Sequence, residues 1–166
     1  MIYYKRFNRF DKRNREYKQF MNLLKDFWYS LCKIDEFRLM QVTDTFENEY
    51  YNYIKMIMKR NYGTLVLAYD NGTPIGFALS YVWGVPNYLQ TIEKKTTRAE
   101  LFDLFVEESY RRRGIGKDMI DFVSDYYKSL GCTHLVIGLL ANNINAYNLY
   151  KKAGFRDHNL ELMKEL

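Results

Sequence analysis

The chain has 166 residues, 48% of them hydrophobic and 27% charged, a balance that suits one folded domain, here taken as residues 1–166, and excludes a disordered chain. Its two cysteines, Cys32 and Cys132, belong to no CxxC and no His/Cys cluster, which argues against a zinc site or any other metal and predicts free thiols. The net charge of +5 admits either a nucleic-acid surface or an anionic small-molecule ligand, and no apolar run approaches the ~20 residues of a membrane span.

Residues 2–8 predict a short strand, with Ile2, Tyr3, Tyr4 and Phe7 as its apolar members. No apolar h-region or small-residue cleavage site marks a signal peptide, so a cytoplasmic location is expected by default. The basic run Lys5, Arg6, Arg9, Lys12, Arg13, Arg15 and Lys18 is interrupted by Asp11 and Glu16 and reads as a solvated face, which makes nucleic-acid binding an unfavoured alternative. Phe20, Leu23, Leu24, Phe27 and Leu31 recur at helical spacing over residues 13–31. A mixed loop over residues 35–43 leads to a second helix, capped by Thr43 or Asp44, with Phe46, Tyr50, Tyr53, Ile54 and Ile57 on one face.

Two apolar runs, residues 64–69 and 74–83, flank Asp70-Asn71-Gly72-Thr73, a strong hairpin signal. A polar loop over residues 86–98 follows, then a strand over about 99–107. A helix over 114–130 is stopped by Gly131, a strand spans 134–140, and a helix over 143–153 is stopped by Gly154. A last extended segment begins at Phe155 and carries Leu160, Leu162 and Leu166. The order β-α-α-β-β-β-α-β-α-β predicts an α/β or α+β sandwich around one sheet.

The junction between the strand ending near 107 and its helix reads Arg111-Arg-Arg-Gly114-Ile-Gly116-Lys117. A helix N-terminus presents unpaired N–H groups and the positive end of the helix dipole, and glycine admits close approach and positive φ, so this turn suits phosphate. It is not a P-loop, because Arg111 stands at the required glycine and Asp118 follows Lys117. It is not a dinucleotide fingerprint either, because Met119 occupies the third glycine position.

The remaining pattern, Arg-x-x-Gly-x-Gly, resembles the pyrophosphate loop of the GNAT superfamily of acetyltransferases, which use acetyl-coenzyme A. The segment Asn143-Ile-Asn-Ala146-Tyr-Asn-Leu-Tyr150-Lys-Lys-Ala-Gly154-Phe155 is similar to that superfamily's Asn-x-x-Ala…Leu-Tyr…Gly-Phe stretch and follows at the usual separation. The resemblance covers roughly residues 62–160. It implies a mixed, mostly antiparallel sheet splayed between its fourth and fifth strands and flanked by about four helices.

The resemblance also implies roles. Backbone groups of Phe105 and Val106 would pair with the pantetheine arm, Arg111, Arg112, Arg113, Gly114, Ile115, Gly116 and Lys117 would hold the pyrophosphate, and Asn143 would bond the pantetheine beside the small Ala146. Tyr150 would donate to the departing thiolate and Glu100 would be the general base, with Asp103 as a rival. Transfer to an amine needs the neutral nucleophile, and removing a proton from a lysine-like amine at pH 7 costs about 4.6 kcal/mol, which is the reason a base is sought. Strict alternation puts Glu100 and Asp103 on opposite faces, although the bulge usual in this strand of the superfamily makes that facing unreliable.

The implied activity is acetyl transfer from acetyl-CoA to a primary amine of a small molecule or protein, by direct attack in a ternary complex. The alternatives are a non-catalytic acyl-CoA sensor and the nucleic-acid-binding reading. Trp28, Tyr29, Asp35, Glu36, Tyr81, Trp83 and Tyr88 are the candidates for the acceptor site. A homodimer is left open.

Overall fold

A computed structural model describes residues 1–60, 62–84 and 96–166. The predicted Tyr88 and most of the loop before the fourth strand therefore lie outside the described residues. In chain order the elements are β1 (Ile2–Phe7), α1 (Tyr17–Cys32), α2 (Phe46–Arg60), β2 (Thr64–Asp70), β3 (Thr73–Trp83) and β4 (Arg98–Val106). A single 3-10 turn (Glu108–Tyr110) then leads to α3 (Ile115–Ser129), β5 (His134–Val136) and α4 (Ile144–Lys152).

The five strands form one sheet in sequence order, β1 to β5. All neighbours are antiparallel except β4 and β5, which are parallel. Asn71 and Gly72 turn the β2–β3 hairpin with φ of 47° and 84°, the conformation that a right-twisted two-residue hairpin demands and that Asn-Gly supplies at low cost. β2 and β3 are covered on both sides, which explains their continuous apolar runs.

One face carries α1 and α2, with Phe20, Leu24, Ile54, Leu65, Leu67, Phe77 and Leu79 all buried in a shared cluster. The other carries α3 and α4, packed on Val66, Ala68, Ala78, Ala99 and Leu101 through Ile115, Met119, Ile120 and Val123. Removing side chains of this size from water contributes about 1.5–3 kcal/mol each, so the two clusters supply the main driving force for holding helices on both faces.

The sheet opens where β4 meets β5. Pairing runs only from Arg98↔His134 to Glu100↔Val136, and β4 continues for six more residues without β5 beside it. β5 is thus shorter than the predicted 134–140. The expected final strand does not form: Leu160 and Leu162 are exposed and residues 155–166 carry no helix or strand. The alternating leucines meet a strand's sequence requirement, but no face of the sheet covers them. α1 begins at Tyr17 rather than 13, because Asp11 and Asn14 tie the preceding residues into a turn through Asn14 Oδ1, which accepts from the Asp11 N–H at 2.8 Å.

β4 contains a bulge. Leu79 pairs with Asp103 and the next β3 residue, Ser80, pairs with Leu101, so Phe102 has no partner. Ala99 and Leu101 point into the α3–α4 cluster, whereas Phe102 and Phe105 pack with the α1–α2 cluster. The extra residue turns the second half of the strand over relative to strict alternation.

Candidate active site

The Arg111–Lys117 turn enters α3 through Gly114, whose φ of 84° only glycine adopts without strain. The first helical bond runs from the Asp118 N–H to the Gly114 carbonyl at 3.0 Å. The N–H groups of Ile115, Gly116 and Lys117 precede it and project from the helix end. Arg112 also takes positive φ, 63°, a strained conformation for a residue with a side chain.

The side chains of the other two arginines brace the turn. Arg111 Nε donates to the Val106 carbonyl at 2.9 Å, with its guanidinium 5.5 Å from the Phe105 ring centre. Arg113 donates to the Ser109 carbonyl at 2.9 Å and lies over Tyr110. Lys117 pairs with Asp121 one helical turn on. Gly116 has a different duty from Gly114: a Cβ there would come within 3.0 Å of Leu149 Cδ2, so it permits the contact of α3 with α4.

Beyond Glu100 the free edge of β4 faces the opening. The Glu107 N–H bonds to the Ile75 carbonyl of β3 at 2.9 Å, and the Phe105 carbonyl lies against Gly76 of the same strand. Backbone groups alternate along a strand, so those of Val106 and Leu104 face the open edge while those of Phe105 face β3. Phe105 contributes its ring instead, packed against Phe27 and Phe77.

α4 packs against α3, with Leu149 beside Gly116. Asn143 is its N-cap, and its Oδ1 accepts from the Ala146 N–H at 3.2 Å. Tyr150 is 8% exposed and packs edge-on against Phe155 at 5.9 Å. Burial, and secondarily the negative charge of Asp103, pushes its hydroxyl up to about 12. The charge of Asp103 thus reaches Tyr150, which belongs to the opposite face's cluster.

Asp103 and Glu100 both serve the α1–α2 face. Asp103 is 4% exposed and accepts a short hydrogen bond from the Tyr50 hydroxyl of α2. Burial raises its carboxyl to about 7. The Tyr50 bond opposes that rise and the charge of Glu100 adds to it. Glu100 is half-buried and accepts a short hydrogen bond from Tyr81 of β3. Phe102, the bulged residue, lies between Glu100 and Asp103 in the chain, and its ring meets Tyr81 at 5.5 Å and Tyr53 at 5.9 Å.

A model of the acetyltransferase (GNAT) family matches residues 17–155. The chain belongs to the GNAT family. Among curated relatives of this GNAT chain is an uncharacterized N-acetyltransferase of Methanocaldococcus jannaschii, 31% identical over 105 residues, which are 63% of this chain and 44% of that protein. A spermine/spermidine N(1)-acetyltransferase of Bacillus subtilis is 32% identical over 92 residues, 53% of this chain and 56% of that one. The chain thus matches about half the length of these relatives.

Among solved structures, an aminoglycoside N-acetyltransferase, AAC(6')-Iy, in complex with CoA superposes with a TM-score of 0.73 at 17% identity, covering 100% of this chain and 95% of that one. A tetramutant of the BH1408 protein from Bacillus halodurans superposes with a TM-score of 0.80 at 14% identity, covering 100% and 99%. At such identities the likeness is one of fold.

In this GNAT chain the remaining candidates divide. Asp35 is used by its own loop, its carboxylate accepting from the N–H groups of Leu39 at 2.6 Å and Met40 at 2.8 Å, and backbone bonds hold its carboxyl below the usual range. Trp28 packs on Tyr50 and Phe46, Glu36 accepts from Asn142 at 3.3 Å, Trp83 stacks with Arg98, and Tyr29 is half exposed. In the sequence Tyr50 and Tyr53 were visible only as members of an apolar helix face, and Phe102 only as part of the expected strand 99–107. Their position around two carboxylates depends on the bulge, which leaves no mark in the local letters. The basic N-terminal run is dispersed, with Arg13 paired to Asp11, Lys5 over Phe7 and Arg6 over Tyr126.

Proposed function

We propose that this chain is an acetyl-CoA-dependent N-acetyltransferase that passes acetyl directly to a small cationic amine within a ternary complex. Acetyl-CoA would supply an activated thioester and a thiolate leaving group. The residues present fit it. The α3 N-terminus offers three N–H groups to a diphosphate, and Gly114 sets the turn there. Arg111, Arg112, Arg113 and Lys117 add positive charge, and the open edge of β4 at Leu104 and Val106 can pair with an amide-bearing arm as an added strand. Asn143, the N-cap of α4, would bond the pantetheine beside the small Ala146.

The observation that carries the reading is Asp103, a buried carboxyl on β4 that is raised to about 7 and lies within electrostatic reach of Tyr150. A base works best with a pKa near the working pH, which suits Asp103 for taking the proton of the attacking ammonium. Tyr150 donates a hydrogen bond to the sulfur as charge develops there. With the phenol at about 12 and a thiol near 8.5, complete proton transfer is uphill by about 5 kcal/mol, so hydrogen bonding is the role supported.

The acceptor classes to test first come from relatives and neighbours named for polyamines and aminoglycosides. The deciding experiment is an acetyl-CoA assay against polyamines, aminoglycosides, amino acids and N-terminal peptides, with Asp103→Asn as control. Turnover of a small amine that Asp103→Asn lowers by roughly 10²–10⁴ supports the assignment. Acetyl-CoA binding without turnover of any amine would leave a sensor.

A further inference from the structure

Resting on that reading, we infer that Glu100 is the specificity-determining residue of the acceptor site: it holds a second positive charge on the substrate, which selects a linear diamine or longer polyamine over a monoamine. The bulge at Phe102 brings two carboxylates to one face, and their surroundings divide the labour. Asp103 is 4% exposed and bonded to Tyr50, whereas Glu100 is half-buried and open to solvent.

Among the described residues, the polar partner of Glu100 is the Tyr81 hydroxyl, an uncharged group. Its charge is therefore not neutralised by a described lysine or arginine. Arg98, two residues earlier on β4, stacks on Trp83 at 5.5 Å. Around Glu100 stand the rings of Tyr53, Phe102 and Tyr81, joined edge to face at 5.9 Å and 5.5 Å. A carboxylate set among aromatic faces is the chemistry that holds an alkylammonium, by ion pairing and cation–π attraction together.

Spacing then narrows the class. Glu100 pairs with Tyr81 and Asp103 with Leu79, two positions apart on β3, so the two backbone positions are roughly 7 Å apart. Two amines separated by four methylenes span about 6 Å when extended, from standard bond lengths. One nitrogen can sit at Glu100 while the other gives its proton to Asp103 and faces the opening toward Tyr150. These aromatic rings without Glu100 would bind butylamine and 1,4-diaminobutane about equally.

The test is calorimetric binding of 1,4-diaminobutane and n-butylamine to CoA-saturated enzyme, for wild type, Glu100→Gln and Glu100→Asp, followed by steady-state kinetics with both amines. Glutamine keeps an acceptor for Tyr81, so the fold is preserved. Wild type is expected to bind the diamine at least tenfold more tightly than the monoamine. Glu100→Gln should erase that gap, the loss appearing in KM for the diamine rather than in kcat, and Glu100→Asp should restore part of it. Equal binding of the two amines by wild type overturns the inference. So does a fall in kcat of equal size for both amines in Glu100→Gln, which would make Glu100 the base. If neither amine is acetylated while the binding gap and its loss persist, the acetyl-transfer reading fails and the ammonium site stands.

Discussion

Glu100 and Asp103, three residues apart on β4, lie on the same face of the sheet because Phe102 between them is bulged out of register with β3. A regular strand would direct one of them into the α3–α4 core, where an unpaired carboxylate is costly. The bulge places both where α2 and β3 offer hydroxyl donors, Tyr50 to Asp103 and Tyr81 to Glu100. Burial raises the carboxyl of Asp103 to about 7.

Activity should therefore rise with pH through about 7, as the Asp103 carboxyl loses its proton. The titratable groups around it are Tyr50, Tyr53, Glu100 and Tyr150. Replacing Asp103 with Asn should lower kcat by roughly 10²–10⁴ and abolish the inflection. A pH series of kcat/KM on both proteins checks this. An inflection that survives in Asp103→Asn assigns the base elsewhere.

Tyr50→Phe should move the same inflection upward. The Tyr50 hydroxyl favours the ionised form of Asp103, so its loss leaves burial less opposed. The kinetic pKa of the variant is the measurement, and a downward shift would contradict the hydrogen-bond assignment.

Stability should carry the opposite slope. Asp103 is raised from its ordinary 3.8 to about 7 in the folded chain. Between those values the native state keeps a proton that the unfolded chain has released, so stability falls as pH rises across the window and levels off above it. The full effect is up to about 4 kcal/mol. Denaturant titrations from pH 4 to 8 should show this decline in wild type and its loss in Asp103→Asn, which should be the more stable protein at pH 8.

Tyr150→Phe should reduce kcat by about 10²–10³, the usual cost of one donor at a developing negative charge, with acetyl-CoA binding retained. The tyrosine is buried against Phe155 and phenylalanine preserves that packing. Turnover equal to wild type would remove Tyr150 from the mechanism.

The two glycines of the turn should respond differently. At a hundred times its Kd, acetyl-CoA should stabilise wild type by about 2.7 kcal/mol, or roughly 5–10 °C in Tm. Gly114→Ala strains a φ of 84° in open space, so it should fold but show a smaller ligand-induced rise. Gly116→Val forces atoms against Leu149, so it should destabilise the ligand-free protein by about 1–3 kcal/mol, read as a lower Tm. Thermal melts with and without acetyl-CoA separate the two effects.

Much of this molecule is legible locally. The Asn71-Gly72 hairpin, the helical faces of α1 and α3, and the Arg-x-x-Gly-x-Gly turn each rest on interactions within a few residues, so the letters alone specify them. So did the family, because the turn and the Asn143–Phe155 stretch occur in order. What the letters could not show was which side chains face one another across elements. Strict alternation separates Glu100 from Asp103, and only the register between β3 and β4, set by packing on both faces of the sheet, brings them together and hands them Tyr81 and Tyr50. The final leucines taught the converse: alternation is necessary for a strand, but without a sheet edge and a core to cover it, residues 155–166 form none.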